Sequence, residues 1–193
     1  MATAISIPKM AVKTVELELV GDSPLISHRW AQKAKQQMLD KQMKKASKGK
    51  DAKDPEKDYQ ESIYYTDDEK PAFPAVAFKA AAVGACRYVD MKMTEARGAF
   101  HVMGELVELD GKPEMREDIV RIGNGVADIR YRAQFPKWKA RIQVRYNENA
   151  ISAEQIVKLF EIAGFACGIG EWRPQRNGSY GMFHVAGQEE IDD

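Results

Sequence analysis

Apolar and polar positions alternate with period two in three stretches of the chain. Val15, Leu17 and Leu19 alternate with Glu16 and Glu18; Ala127, Ile129, Tyr131 and Ala133 with Asp128, Arg130, Arg132 and Gln134; Ala140, Ile142, Val144 and Tyr146 with Arg141, Gln143 and Arg145. Period two marks strands with one buried face, so strands are predicted over 12–20, 127–134 and 140–146. Helical spacing appears at Ile156, Leu159, Phe160 and Ala163, preceded by Ser152 and Gln155 as a capping box and followed by Gly164 where a left-handed residue ends a helix. A second helix is predicted from Ala75 to Val89, led by Phe73-Pro74 with proline at its first position and lined with small residues that permit close approach to a sheet. A third follows Pro24 to Trp30 and places Trp30, Ala34 and Met38 on one side. Shorter strands are expected at Ser62–Thr66, within Phe100–Leu109 and at Phe183–Val185, with a turn at Asp110-Gly111 and a hairpin around Ile119–Ile122 and Gly123-Asn124-Gly125.

That order predicts one α+β domain over 1–193, a ferredoxin-like or RRM-like antiparallel sheet with helices on one face and a basic insertion. Residues 1–11 have no period and read as an arm. Residues 44–58, KKASKGKDAKDPEKD, carry nothing larger than Ala52 among apolar residues and read as a flexible insertion, and 186–193 form an acidic tail.

Lys+Arg and Asp+Glu both number 29, so the argument about partners rests on where the charges lie. From His28 to Lys57 there are ten Lys/Arg against Asp40, Asp51, Asp54 and Glu56. This is either a solvated loop or a basic finger that orders on a nucleic-acid backbone. If the strands over 127–134 and 140–146 share a sheet, Arg130, Arg132, Arg141 and Arg145 point from its open face, joined by Lys137 and Lys139 and interleaved with Tyr131, Phe135, Trp138 and Tyr146. Cations neutralise phosphates and aromatic rings accept stacked bases without regard to sequence, which suits a single strand. The competing reading is a solvated arginine face over an ordinary core. Gly168, Gly170, Gly178 and Gly181 bracket Trp172, Arg173, Arg176 and Tyr180, a loop able to lie along a phosphate backbone.

Other chemistries find less support. Cys86 and Cys167 lack metal-ligand spacing and read as reduced, buried thiols. No Walker phosphate loop is present and Gly168-Ile169-Gly170 lacks the third glycine of a dinucleotide fingerprint, so no cofactor is implied. Asp67, Asp68 and Glu69 read as a solvated turn rather than a metal site. His28, His101 and His184 are weighed as general acid or base, but sequence places no second catalytic group beside any of them; His28, flanked by Arg29 and Trp30, is the best of the three. The absence of a signal pattern and of a long apolar window leads to the expectation of a soluble, cytoplasmic protein without membrane contact.

Phe73-Pro74-Ala75-Val76-Ala77-Phe78-Lys79-Ala80-Ala81 resembles the proline-led helix of the RAMP superfamily, the RNA-binding proteins of CRISPR effector complexes, and GIGEWRPQRNGSYGMF at 168–183 is similar to that superfamily's glycine-rich loop before a final strand. The resemblance covers roughly the C-terminal two-thirds of the chain. It implies binding of single-stranded RNA along a groove, with copies stacking head to tail or joining other subunits. The loop departs from the family's shorter glycine/serine run by RPQRNG, and a stand-alone viral relative that coats single-stranded DNA or interferes with such complexes would share these features. The resulting expectation is a non-catalytic binder of single-stranded RNA or DNA. His28, Arg29, Arg130, Arg132, Lys137, Lys139, Arg141, Arg145, Trp172, Arg173, Arg176 and Tyr180 form its interface. The alternative is a metal-independent endoribonuclease using His28.

Overall fold

The structure, a computed structural model, describes residues 9–30, 36, 38–40, 42–45, 53–122 and 125–187. Most of the arm, most of the helix expected after Trp30, residues 46–52 of the insertion, the Gly123-Asn124 turn and the acidic end of the tail therefore lie outside the described residues.

The main sheet is built on β1 (Val12–Gly21), which pairs antiparallel along its length with β9 (Lys139–Asn147). The register sets Leu17 against Ile142 and Leu19 against Ala140 on one face, all four buried, and Glu16 against Gln143 and Glu18 against Arg141 on the other. Outward from this pair, β10 (Phe183–Val185) flanks β1. On the far side β5 (Phe100–Val102) and β6 (Leu106–Asp110) lie end to end along β9, and β4 (Pro71–Pro74) and β3 (Tyr64–Tyr65) extend the sheet. With α2 (Ala75–Ala85) between β1 and β5, and α4 (Ala153–Ala166) between β9 and β10, the core elements run β-α-β-β-α-β with the last strand beside the first. This is the ferredoxin-like arrangement expected from sequence.

Helices α2 and α4 cover the apolar face. Phe78 and Phe160 are wholly buried, and edge-to-face or tilted ring contacts at 6.0–6.5 Å link Tyr64, Phe73, Phe78, Phe183 and Trp138 across the core. The capping box forms as expected: the Gln155 N–H donates to Ser152 Oγ at 3.2 Å, and the Ser152 N–H donates to Gln155 Oε1 at 2.9 Å. Gly164 does not end the helix. It lies inside α4, where a Cβ would stand 1.6 Å from the Phe183 carbonyl oxygen, so its absent side chain lets α4 close on β10; Gly168, with φ +63°, supplies the left-handed turn.

Between these core elements the chain makes two excursions. The first follows β1 and contains β2 (Leu25–Ser27) and α1 (Pro55–Glu61), whose start is capped by Asp54. The sequence reading has β2 leading directly into a helix and the insertion flexible through residue 58. Instead Leu25–Ser27 pairs as a strand, and a proline-led, capped helix begins at Pro55. Residues 36, 38–40 and 42 are helical, yet Trp30 and Met38 are exposed and pack into no core. The second excursion is the hairpin β7 (Glu114–Ile122) and β8 (Val126–Phe135), which joins β2 in a separate three-stranded sheet. A short α3 (Met93–Ala99), which the periodicity does not predict, follows α2. Proline 74 caps α2 from outside instead of sitting at its first position, and the helix ends at Ala85 before a 3-10 turn. Among the described residues no helix is long and apolar enough to cross a membrane.

Candidate nucleic-acid interface

β8 and β9 belong to different sheets, so the single arginine-bearing face expected from their alternation does not form. The cause is the hairpin. β8 pairs with β7 over nine positions and with β2 over three, and the short helix α1, rather than α2 or α4, packs against it. Its burial pattern is correspondingly inverted in part: Ile129 is 40% exposed, whereas Arg132 is 5% exposed.

The arginines are also already engaged. Arg132 Nη1 lies 3.5 Å from Asp118 Oδ2, Arg130 Nε donates to Asp128 Oδ2 at 2.9 Å, Arg141 Nη2 donates to Glu18 Oε2 at 3.0 Å, and Lys139 Nζ lies 3.8 Å from Glu18 Oε1. The open face of the main sheet, a hollow of about 560 Å³, mixes Glu16, Glu18, Glu108 and Asp110 with Lys139 and Arg141. A polyanion meets four carboxylates against two cations there. Arg145 and Lys137 are exposed and, among the described residues, their side chains have no ionic or hydrogen-bonding partner.

The glycine loop brings other predicted residues together. Its backbone is tied to β2, the Glu171 N–H donating to the Ile26 carbonyl at 3.1 Å and the Gly181 N–H to that of Pro24 at 2.8 Å. Alternate loop side chains then go to opposite sides. Glu171, Arg173 and Gln175 face a groove of about 280 Å³ whose other wall is the first half of α2, with Val76, Ala77, Ala80 and Ala81, and whose end is closed by Ile26, His28, Tyr64, Phe73 and Pro74. Arg173 Nη1 donates to the Gly170 carbonyl at 3.0 Å and so also shapes the loop. Arg176 sits on the exposed 3-10 turn Pro174–Arg176 without a side-chain partner among the described residues. Arg29 lies near Tyr64, whose phenol burial pushes up and the Arg29 charge pulls down. The start of α2 has no side-chain cap; the Ala75 N–H donates to the Glu105 carbonyl at 2.9 Å, and Pro74, Val76 and Ala77 of that end line the groove.

His28 Nδ1 stands 3.4 Å from Glu171 Oε1, and that contact holds the Glu171 carboxyl below the usual carboxylate range against the opposing effect of burial. Sequence reasoning missed Glu171, although it sits between the conspicuous Gly170 and Trp172. Structure also gives the other histidines neighbours: Lys79 Nζ is 2.9 Å from His101 Nδ1, and Asp22 Oδ1 is 2.6 Å from His184 Nδ1.

Trp172 and Tyr180 occupy the loop's other side. Their rings meet edge to face at 6.2 Å, and the Arg116 guanidinium lies over both, 5.5 and 4.8 Å from the centroids. Arg116 is held by Asp118 and by Gln134, each at 2.7 Å, and donates to the Tyr180 hydroxyl at 3.1 Å. Trp172 adopts φ +54°, a strained conformation for a bulky residue, and remains 39% exposed. These two aromatics are thus partly committed to joining the loop to the hairpin sheet, and they do not line the groove. Arg116 was illegible because the first half of β7, EMRED, has no apolar alternation. Among the described residues no cluster of His, Cys, Asp and Glu has the makings of a metal site.

The fold can now be placed. A subunit in the cryo-EM structure of the Type III-B Cmr-beta bound to cognate target RNA superposes with a TM-score of 0.57 at 14% identity, covering 91% of this chain and 59% of that one. This chain therefore spans about three-fifths of that subunit's length, and it has the RRM-like fold that the RAMP resemblance implied. The crystal structure of Cmr6 from Pyrococcus furiosus aligns with a TM-score of 0.49 at 10% identity, covering 92% of this chain and 100% of that one. No family model matches the sequence, and no curated protein matches it.

Proposed function

We propose that the chain is a non-catalytic, single-stranded RNA-binding protein that holds its strand in the groove between α2 and the glycine loop. The observation that carries this reading is the groove itself: His28 and Arg173 line it with the single carboxylate of Glu171, its other wall is the apolar start of α2, Arg29 lies near the lining Tyr64, and Arg176 follows Arg173 on the exposed turn. Phosphates meet the cations, and a base meets the apolar wall. RNA is favoured over DNA because the solved complex sharing the fold is bound to target RNA. Assembly with further copies or with other subunits extends the same analogy. His28, Arg29, Arg173 and Arg176 are the predicted site residues that this placement keeps in direct contact; Arg130, Arg132, Lys139 and Arg141 serve the protein's own ion pairs.

Fluorescence anisotropy with matched single-stranded RNA and DNA at two salt concentrations tests it. RNA binding weakened by salt, and weakened at least tenfold by Arg173→Ala with Arg176→Ala, is expected; unchanged binding in the double variant would move the interface elsewhere.

One observation favours a second reading. A carboxylate beside a groove-lining histidine is the pairing that orients an imidazole as general base. Strand shortening that persists in EDTA and disappears in His28→Ala would make the chain a metal-independent endoribonuclease.

A further inference from the structure

Glu171 is out of place in a phosphate-binding groove. Its charge opposes the strand's, yet its backbone N–H is fixed on Ile26, its Oε1 is turned to His28, and the depressed carboxyl keeps it ionised at neutral pH. The contact from His28 is made to Oε1, and the Arg132 and Arg173 charges lie close enough to favour the ionised carboxylate. The carboxylate is thus a preset acceptor lining the same groove as the apolar wall of Val76, Ala77 and Phe73. Such a combination repels phosphate and accepts a flat ring that brings N–H donors along one edge.

We infer that Glu171 is a specificity-determining residue that reads guanine, resting on the reading of the groove as a single-strand site. Guanine alone among the four bases presents two adjacent donors, N1–H and the N2 amino group, which match the two oxygens of one carboxylate. Adenine and cytosine set an acceptor nitrogen beside their amino group, and uracil flanks its one N–H with two carbonyls. Each of these leaves the carboxylate facing an acceptor in a partly desolvated site. His28 acts as a positioning residue, holding Oε1 so that Oε2 faces the groove.

The test uses twelve-nucleotide uridine RNA strands carrying one central guanosine, inosine, 2-aminopurine nucleotide or adenosine, since a sliding strand can bring one base into the groove. Wild-type protein is expected to bind the guanosine strand about tenfold tighter than the adenosine or all-uridine strand, as a good bidentate base contact provides. Inosine, which keeps N1–H but lacks the amino group, and 2-aminopurine, which keeps the amino group but lacks N1–H, should fall between. Glu171→Gln should remove the guanosine preference, bringing the guanosine strand to the affinity of the adenosine strand in the same protein. Equal affinity for guanosine and adenosine strands, or a preference that survives Glu171→Gln, overturns the inference while salt-sensitive binding of all-uridine RNA leaves the proposed function standing. Failure of every strand to bind overturns both. The base series in wild-type protein requires no variant, so a folding defect in Glu171→Gln does not rescue the idea.

Discussion

Asp118 lies in β7 with its carboxylate almost wholly buried, 2.7 Å from Arg116 and 3.5 Å from Arg132. Arg132 is buried too, and among the described residues its Nε and Nη1 have no hydrogen-bond partner. Removing the carboxylate that pairs with it leaves a buried guanidinium without its ion-pair partner, so Asp118→Ala should cost about 3–5 kcal/mol in urea unfolding. Replacing Asp118 and Arg132 together by Leu and Met should recover most of that loss, because the penalty comes from the unpaired partner. A cost that is the same in the single and double variants would show that Asp118 acts through Arg116 alone. At Glu171 stability is linked to pH. Its carboxyl titrates below its ordinary range in the folded protein, so the His28 contact stabilises the fold above the unfolded carboxylate value and is lost as pH falls through the lowered folded one. The melting temperature of wild type should therefore exceed that of Glu171→Gln near neutrality, and the gap should close in acid; a gap independent of pH would remove the carboxylate's charge from the explanation.

Helix α2 has two faces with different duties. Phe78 is wholly buried and touches Phe73 and Phe183 through ring contacts, whereas Val76 is 69% exposed on the groove wall. Phe78→Ala should lower stability by about 3–5 kcal/mol through lost burial and a residual cavity, while Val76→Ala should stay within about 0.5 kcal/mol and show its effect in strand binding instead. A Val76→Ala variant as unstable as Phe78→Ala would mean that the groove wall is core. This division was legible in sequence only in part. The alternation of β1 and β9 and the capping box of α4 identified their elements because burial there follows local period, and the small residues of α2 announced close packing. The faces of β8 were misassigned for a non-local reason: alternation says which residues share a side, but which side is buried depends on whether a helix covers it. Likewise β2 has three residues, too few for a period, and Gly164 reads as a stop in sequence because close approach to Phe183 is invisible until α4 is set on β10.

Across the whole molecule, zero net charge conceals a sorting of charge that the linear sequence does not display. The arginine-rich strands looked like a phosphate track because their acidic neighbours, Glu16 and Glu18 on β1 and Asp118 on β7, are distant in sequence or lie in a strand without alternation. Pairing brings them within 3.0–3.8 Å of those cations. The loop arginines escape this fate: β2 and α2, which flank them, contribute no carboxylate to the groove, and Glu171 comes from the loop itself. That sorting makes a quantitative expectation about salt. Each phosphate contact on a single strand contributes about 0.7 to the slope of log affinity against log salt. Removing Arg173 and Arg176 together should flatten the slope for all-uridine RNA by about 1.4 if each holds one phosphate, whereas Arg130→Ala and Arg141→Ala should leave it unchanged, since those side chains are neutralised before any strand arrives. A slope that responds to Arg141→Ala and ignores the loop pair would mean that RNA breaks the Glu18 ion pairs and lies across the open sheet. The groove would then have to be assigned to something other than the strand.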